Sequence, residues 1–172
     1  MLEIEIKAVL ADPGAMQELL RQEGAVAGPV LRETDHYYQH PSRDFGQTNE
    51  ALRLRMTNGQ CRITYKGPRI SGTAKIRFEA ETEIEDYETM KSILEKLDFR
   101  PIGMVEKKRT VFYLEGATVC LDDVVGLGSY IELEKMGEDK EVIEQEILAL
   151  AGKLGIRAFE PRTYLAMILS KW

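Results

Sequence analysis

Apolar and charged residues alternate from the first residues onward. In residues 2–10, Leu2, Ile4, Ile6 and Ala8 fall on one side of a period of two, and Glu3, Glu5 and Lys7 on the other. Side chains of a strand point alternately to opposite faces, so this period predicts a strand with one apolar face. Asp12-Pro13 is the cap-then-proline signature of a helix start, and a helix is predicted to about Glu23, before Gly24, with Met16, Leu19, Leu20 and Glu23 along one stripe. Further strands are predicted at 30–39, 51–57, 60–66, 74–85, 105–114, 117–125 and 129–136, with Asn58-Gly59 as a hairpin turn between two of them. Helical spacing returns at 86–97, with Asp86 as its cap, then at 139–154 ahead of Gly155, and briefly at 162–170. The expected fold class is α+β, mainly antiparallel β, with helices covering the ends or the outside of the sheet.

The polar face of these strands is unusually ionic. Arg53 and Arg55 oppose Leu52, Leu54 and Met56; Arg62, Thr64 and Lys66 oppose Ile63 and Tyr65; Arg77, Glu79 and Glu81 oppose Ile76, Phe78 and Ala80. Lys107 and Arg109 share a side, Glu132 and Glu134 oppose Ile131 and Leu133, and Asp122 stands beside Leu121. A single strand of this kind fits a sheet with one face in water. Repeated over most strands, with Glu and Arg in place of the usual Ser, Thr and Gln, the pattern points instead to charges facing one another across a wet cavity. A closed sheet of about eight strands leaves room for side chains or one small ligand.

Composition narrows the classes. The 172 residues suit one domain, 1–172. Lys and Arg number 23 against 29 Asp and Glu, a net charge of −6, which argues against a nucleic-acid partner held on a broad basic face. Cys61 and Cys120 form no CxxC pair, and no run of about 20 apolar residues suits a membrane span, so a reduced, cytoplasmic protein without membrane partners is expected. The charged start, MLEIEIKAVL, is unlike a signal peptide.

Residues two apart on a strand lie roughly 6–7 Å apart on one face, so Glu3 and Glu5 can turn carboxylates toward one hard cation such as Mg²⁺ or Mn²⁺. Arg and Lys complement phosphate oxygens, Arg in a two-pronged fork. Together these describe a polyphosphate site. Glu83, Glu85, Asp86 and Glu88 read as a solvated strand end and a helix cap. His36 and His40 are better read as structural than as metal ligands, and Gly67-Pro68 and Gly126-Leu127-Gly128 as turns, since neither carries the Lys-Ser/Thr ending of a P-loop. Tyr37, Tyr38, Phe45 and Tyr130 read as core or rim, leaving adenine recognition without an assigned residue.

The chain resembles the CYTH family of triphosphate tunnel metalloenzymes, named for class IV adenylyl cyclases and thiamine triphosphatases. Glu3-Ile4-Glu5-Ile6-Lys7 matches the family's ExExK signature, and in order there follow Asp35-His36-Tyr37-Tyr38, Ala51-Leu52-Arg53-Leu54-Arg55, Tyr65-Lys66-Gly67-Pro68 and Arg77-Phe78-Glu79-Ala80-Glu81. Glu106-Lys107-Lys108-Arg109, Leu121-Asp122 and Glu132-Leu133-Glu134 complete the set. The Gly126-Leu127-Gly128 turn and the closing Glu160-Pro161-Arg162-Thr163-Tyr164 look most like class IV adenylyl cyclases.

The resemblance implies an eight-stranded closed antiparallel tunnel. It implies metal binding by Glu3, Glu5, Asp122, Glu132 and Glu134, with Glu79 and Glu81 beside them. Phosphate contacts would come from Lys7, Arg53, Arg55, Lys66, Lys107 and Arg109, with Arg77 reaching a phosphate or a glutamate and Arg162 at one end of the tunnel. Glu3, Glu5, Lys107 and Arg109 would carry the chemistry. The cofactor implied is Mg²⁺ or Mn²⁺, and a homodimer fits the resemblance. The leading expectation is conversion of ATP to cyclic AMP and pyrophosphate. A hydrolase of thiamine triphosphate, inorganic triphosphate or nucleoside triphosphate is the alternative, followed by a polyphosphate-binding module without turnover.

Overall fold

A computed structural model describes residues 2–68 and 75–171. Its strands are β1 (Leu2–Val9), β2 (Val26–Gln39), β3 (Ala51–Thr57), β4 (Gln60–Lys66), β5 (Lys75–Arg77), β6 (Glu79–Ile84), β7 (Arg100–Leu114), β8 (Ala117–Val124) and β9 (Gly128–Gly137). The helices are α1 (Pro13–Gln22), α2 (Phe45–Thr48), α3 (Tyr87–Lys96), α4 (Lys140–Lys153) and α5 (Tyr164–Leu169).

All described ladders are antiparallel, and the strand order is β5-β1-β9-β8-β7-β2-β3-β4-β6. The sheet is an open, curled half-barrel edged by β5 and β6, not the closed tunnel expected from the resemblance. Its two edges meet in the predicted strand 74–85. The first residue of that strand lies outside the described ones, and the remainder changes partner at Phe78: β5 pairs with β1, and β6 with β4. Counted as one stretch, β5 and β6 restore the eight predicted strands. Both edges of the order thus belong to neighbouring residues, and curling brings Lys66 Nζ of β4 within 3.0 Å of Glu3 Oε2 of β1.

The two longest strands exceed their predicted extents for one local reason. Pro29 in β2 and Pro101 in β7 interrupt the alternation, and the β2–β7 ladder shifts register between Ala27 and Val30 and again between Tyr37 and Tyr38, whose partner is Pro101. Proline cannot donate to a ladder and settles at such irregularities. Asn58 and Gly59 both take positive φ, 48° and 88°, as the tight hairpin turn requires. The four-residue α2 is too short for a periodic signal; it begins where Asp44 accepts the Gly46 and Gln47 N–H groups.

The apolar strand face is turned outward, under the helices. Ile4, Ile6, Val119, Leu121, Ile131 and Leu133 pack against α1 and α4, including Leu20 and Ile147, both at 0 % exposure. On α4, Ile143, Ile147 and Leu150 follow helical spacing along the buried side, continued by Leu154 at its C-cap. A second outer cluster joins Tyr38, Phe45, Leu52 and Leu54 to Leu94 of α3; a third, of Val105, Val124 and Tyr130 with Tyr164 and Met167 of α5, falls instead on the face shared by Lys107, Asp122 and Glu132. Ile147→Ala removes a fully buried side chain from a packed seam, so it is expected to cost about 2–5 kcal/mol of unfolding free energy, measured by urea denaturation. No helix among the described residues is long and apolar enough to cross a membrane.

Because α1, α3 and α4 cover the outer face, the concave face receives the alternate residues, which are mostly charged, with Val105, Val124 and Tyr130 under α5 as its apolar part.

Candidate active site

Cross-strand register places the inward charges opposite one another. Glu5 faces Glu134, Lys7 faces Glu132, Arg109 faces Asp122, Arg55 faces Asp35, Lys107 faces Glu33, and Lys66 faces Glu79. Nearly all of these pairs join opposite signs, which stabilises a sheet; Glu5 and Glu134 share a sign, which does not.

That exception marks the first group. Glu3, Glu5 and Glu134 each bring a carboxylate oxygen within 4.8 Å of the others. Lys66 Nζ lies 3.0 Å from Glu3 and 2.7 Å from Glu79. Burial, then a proton shared with Glu79, then the nearby charges of Glu79 and Glu134, push Glu3 up to about 8 despite Lys66. Burial also acts to raise Glu79, but the hydrogen bond from Glu3 and the Lys66 ammonium hold it down at about 2. Burial raises Glu134, with Glu132 and Glu5 adding to it against Arg109. Three crowded carboxylates, one retaining a proton near neutrality, form a hard oxygen-donor set with excess negative charge; this donor set fits Mg²⁺ or Mn²⁺.

The second group surrounds Arg109. Its Nε and Nη2 donate to the two oxygens of Asp122 at 2.7 and 2.6 Å, Nη2 also donates to Glu132, and Nη1 donates to Glu134 at 3.3 Å. Lys7 Nζ lies 3.7 Å from Glu132. Burial and Glu5 act to raise Glu132, but Arg109, Lys107 and Lys7 outweigh them and hold it at about 2. The Tyr164 hydroxyl donates to Asp122 at 2.9 Å.

The third group holds three cations against two anions. Arg55 donates to Asp35 in a fork, at 2.6 Å from Nε and 2.7 Å from Nη2, and its Nη1 is 3.3 Å from Glu33. Arg53 approaches Asp35 at 3.5 Å, and Lys107 approaches Glu33 at 3.3 Å and Asp35 at 4.0 Å. Asp35 is 1 % exposed; burial alone would raise its carboxyl, yet Arg53 and Arg55 hold it far below the usual range. The Glu33 oxygen that faces both Arg55 and Lys107 is within ion-pair reach of each but aligned for a hydrogen bond with neither.

Among the other residues expected at the site, Glu81 accepts from Thr64 at 2.7 Å and from Arg62 at 3.1 Å, toward the open side of the face. Arg77 is buried and opposite Glu3 in register. Arg162 is apart from the three groups: its guanidinium is exposed and donates to both oxygens of Glu160, at 2.9 and 2.7 Å. Of the residues expected to bind metal, the geometry gathers Glu3, Glu5 and Glu134, while Glu79 lies on Lys66, and Asp122 and Glu132 lie on Arg109.

Sequence reasoning assigned no site role to Glu33, Asp35 or Tyr164. The signal for the first two was present, since they alternate as acids within 30–39 in the same way as Glu3 and Glu5 in the first strand. Tyr164 carried no such signal, because a tyrosine opening a short apolar helix reads as core.

Residues 1–164 match the sequence model of the CYTH domain. A Methanocaldococcus jannaschii protein that carries a provisional adenylate cyclase name, MJ0240, is 36% identical over 159 residues, 91% of each chain. Adenylate cyclase CyaB of Aeromonas hydrophila is 26% identical over 174 residues, covering 94% of this chain and 86% of the relative. Among solved structures, the PH1819 protein of Pyrococcus horikoshii superposes with a TM-score of 0.89 at 38% identity, over 99% of both chains.

Proposed function

The chain belongs to the CYTH family, and from that premise we propose that it is a divalent-metal-dependent adenylyl cyclase, converting ATP to cyclic AMP and pyrophosphate on the concave face of its sheet. The observation that carries this reading is the three-carboxylate cluster of Glu3, Glu5 and Glu134 lying beside a buried ring of Arg and Lys on one face. The cyclase names of two relatives favour the cyclase over other triphosphate chemistry.

Glu3, Glu5 and Glu134 would hold Mg²⁺ or Mn²⁺, which supplies Lewis-acid polarisation of the phosphoryl oxygens and shields their charge. Lys7, Lys66, Arg53, Arg55, Lys107 and Arg109 take the triphosphate oxygens, exchanging some of their present carboxylate partners for phosphate. As the ribose 3′ oxygen bonds to the α-phosphorus, its proton is released to water and the bond from the α-phosphorus to the bridging oxygen breaks. The electron pair departs with pyrophosphate, where Lys107 and Arg109 stabilise the developing charge. In this reading the stretch from β5 to β6 closes the curled sheet into a tunnel around the bound triphosphate.

One observation favours a second reading, hydrolysis of a triphosphate. Tyr38 and Phe45 are buried in the outer cluster under α3 and Tyr130 is buried against Tyr164, so none of the three can stack on adenine, and a hydrolase that grips phosphates alone needs no base contact.

Product analysis separates the two. The purified protein incubated with ATP and Mg²⁺ or Mn²⁺ is expected to yield cyclic AMP and pyrophosphate. Orthophosphate without cyclic AMP, from ATP, thiamine triphosphate or inorganic triphosphate, would replace the cyclase with the hydrolase.

A further inference from the structure

The aromatic ring of Tyr164 lies inside the charged face. Tyr164 opens α5, is 6 % exposed, and packs edge-on against Tyr130 at 5.3 Å between ring centroids. The Lys7 ammonium stands 4.2 Å from the centre of its ring, and the Lys107 ammonium 5.3 Å. Its hydroxyl donates to Asp122, the carboxylate that grips Arg109 in a fork. One side chain of α5 thus meets two basic residues directly and a third through one carboxylate.

We propose that Tyr164 is a positioning residue for phosphate binding: its ring holds the Lys7 and Lys107 ammonium groups in place, and its hydroxyl fixes Asp122 and with it the orientation of Arg109. This rests on the triphosphate-binding reading above and extends it to the means by which the basic groups are held ready.

Physical chemistry gives each contact a distinct role. A ring face attracts an ammonium without neutralising it, and more strongly where water is excluded. A carboxylate in the same place would hold the lysines equally well but would compete with phosphate. The Tyr164 ring therefore localises Lys7 and Lys107 without adding a further carboxylate to the ones already paired with them, Glu132 for Lys7 and Glu33 for Lys107. Burial, followed by the charges of Glu132 and Asp122, pushes the Tyr164 phenol far above its ordinary value, so its hydroxyl is a donor across the working pH range. The segment leading to Tyr164 is tied to the same strand as Lys7, because the Glu160 N–H donates to the Lys7 carbonyl at 2.7 Å.

The test is calorimetric binding of imido-bridged inorganic triphosphate, which resists hydrolysis, with Mg²⁺ present. Tyr164→Leu is expected to weaken binding about tenfold, and Tyr164→Phe, which keeps the ring, by about threefold at most. Met167→Ala, which loosens the same helix in the same cluster, is expected to bind as the unaltered protein does. Wild-type binding by Tyr164→Leu would overturn the inference, and so would an equal loss in Met167→Ala, which would assign the effect to helix docking. Failure of the unaltered protein to bind at all would overturn the triphosphate reading itself. A measurement without variants guards against misfolding: proton NMR should show the Lys7 side-chain CH₂ next to its ammonium shifted upfield by the ring current, and an ordinary shift there would also overturn the inference.

Discussion

Glu3→Ala and Glu5→Ala are each expected to lower metal-dependent turnover by more than about 100-fold, because each removes one of three carboxylates that converge on a single point. Steady-state product formation with Mg²⁺ or Mn²⁺ checks this, and undiminished activity in both variants would remove the cluster from the site. The same geometry sets a pH dependence. In the metal-free protein Glu3 retains its proton up to about 8, so a cation entering the cluster must expel it. Cation affinity should therefore rise as pH increases toward 8, with proton release visible as a buffer-dependent binding enthalpy. The effect on folding has the opposite sign. Between the unfolded carboxyl value of 4.5 and about 8 the folded chain holds this extra proton, so the group's contribution to stability declines as pH rises through that window. Adding the cation should offset the decline.

Asp35→Ala is expected to destabilise the fold by about 3–5 kcal/mol, among the largest effects of any single substitution outside the apolar clusters. Asp35 is 1 % exposed and answers Arg55 in a two-pronged bond while facing Arg53 and Lys107. Its loss leaves Arg55 and Lys107 sharing Glu33, and Arg53 with only Glu81, at 4.0 Å, as an ion-pair partner among the described residues. Urea denaturation measures the cost. Inorganic triphosphate should restore more stability to this variant than to the unaltered protein, since the anion can occupy the vacated role. The pH sign is that of a depressed carboxyl: the stabilisation from Asp35 is complete above the unfolded value of 3.8 and is lost as pH falls below it. A variant no less stable than the original would show that the three cations are hydrated.

Much of this fold was legible because the strands are half-buried and alternate cleanly. Glu3-Ile4-Glu5-Ile6-Lys7 shows its face at once, and so do the strands carrying Arg53 and Arg55 or Glu132 and Glu134. Legibility failed where backbone chemistry broke the period, at Pro29 and Pro101, and where a segment was too short to have one, at 45–48. It failed differently within the site. The sequence names which residues face inward, but the division of carboxylates between cation and arginine depends on cross-strand partners. Asp122 lies opposite Arg109 and Glu5 lies opposite Glu134, and only the registers reveal that the first is neutralised and the second crowded. Tyr164 was hidden because its helix and its ring serve different neighbours: the helix joins an apolar cluster while the ring meets two ammonium groups.

The change of partner at Phe78 has a mechanical consequence. Arg77 is paired across to Glu3, Glu79 is paired across to Lys66, and Phe78 between them is 58 % exposed, so the inward-outward alternation runs through the exchange without a break. The ladder to β1 and the ladder to β4 are therefore geared together. A slip of one residue in either would turn Arg77 or Glu79 outward and drag the other with it. This short stretch serves as a fixed gauge between the ExExK strand and Lys66, so a cluster of like charges and the cation that tempers it keep their spacing although they lie far apart in the chain.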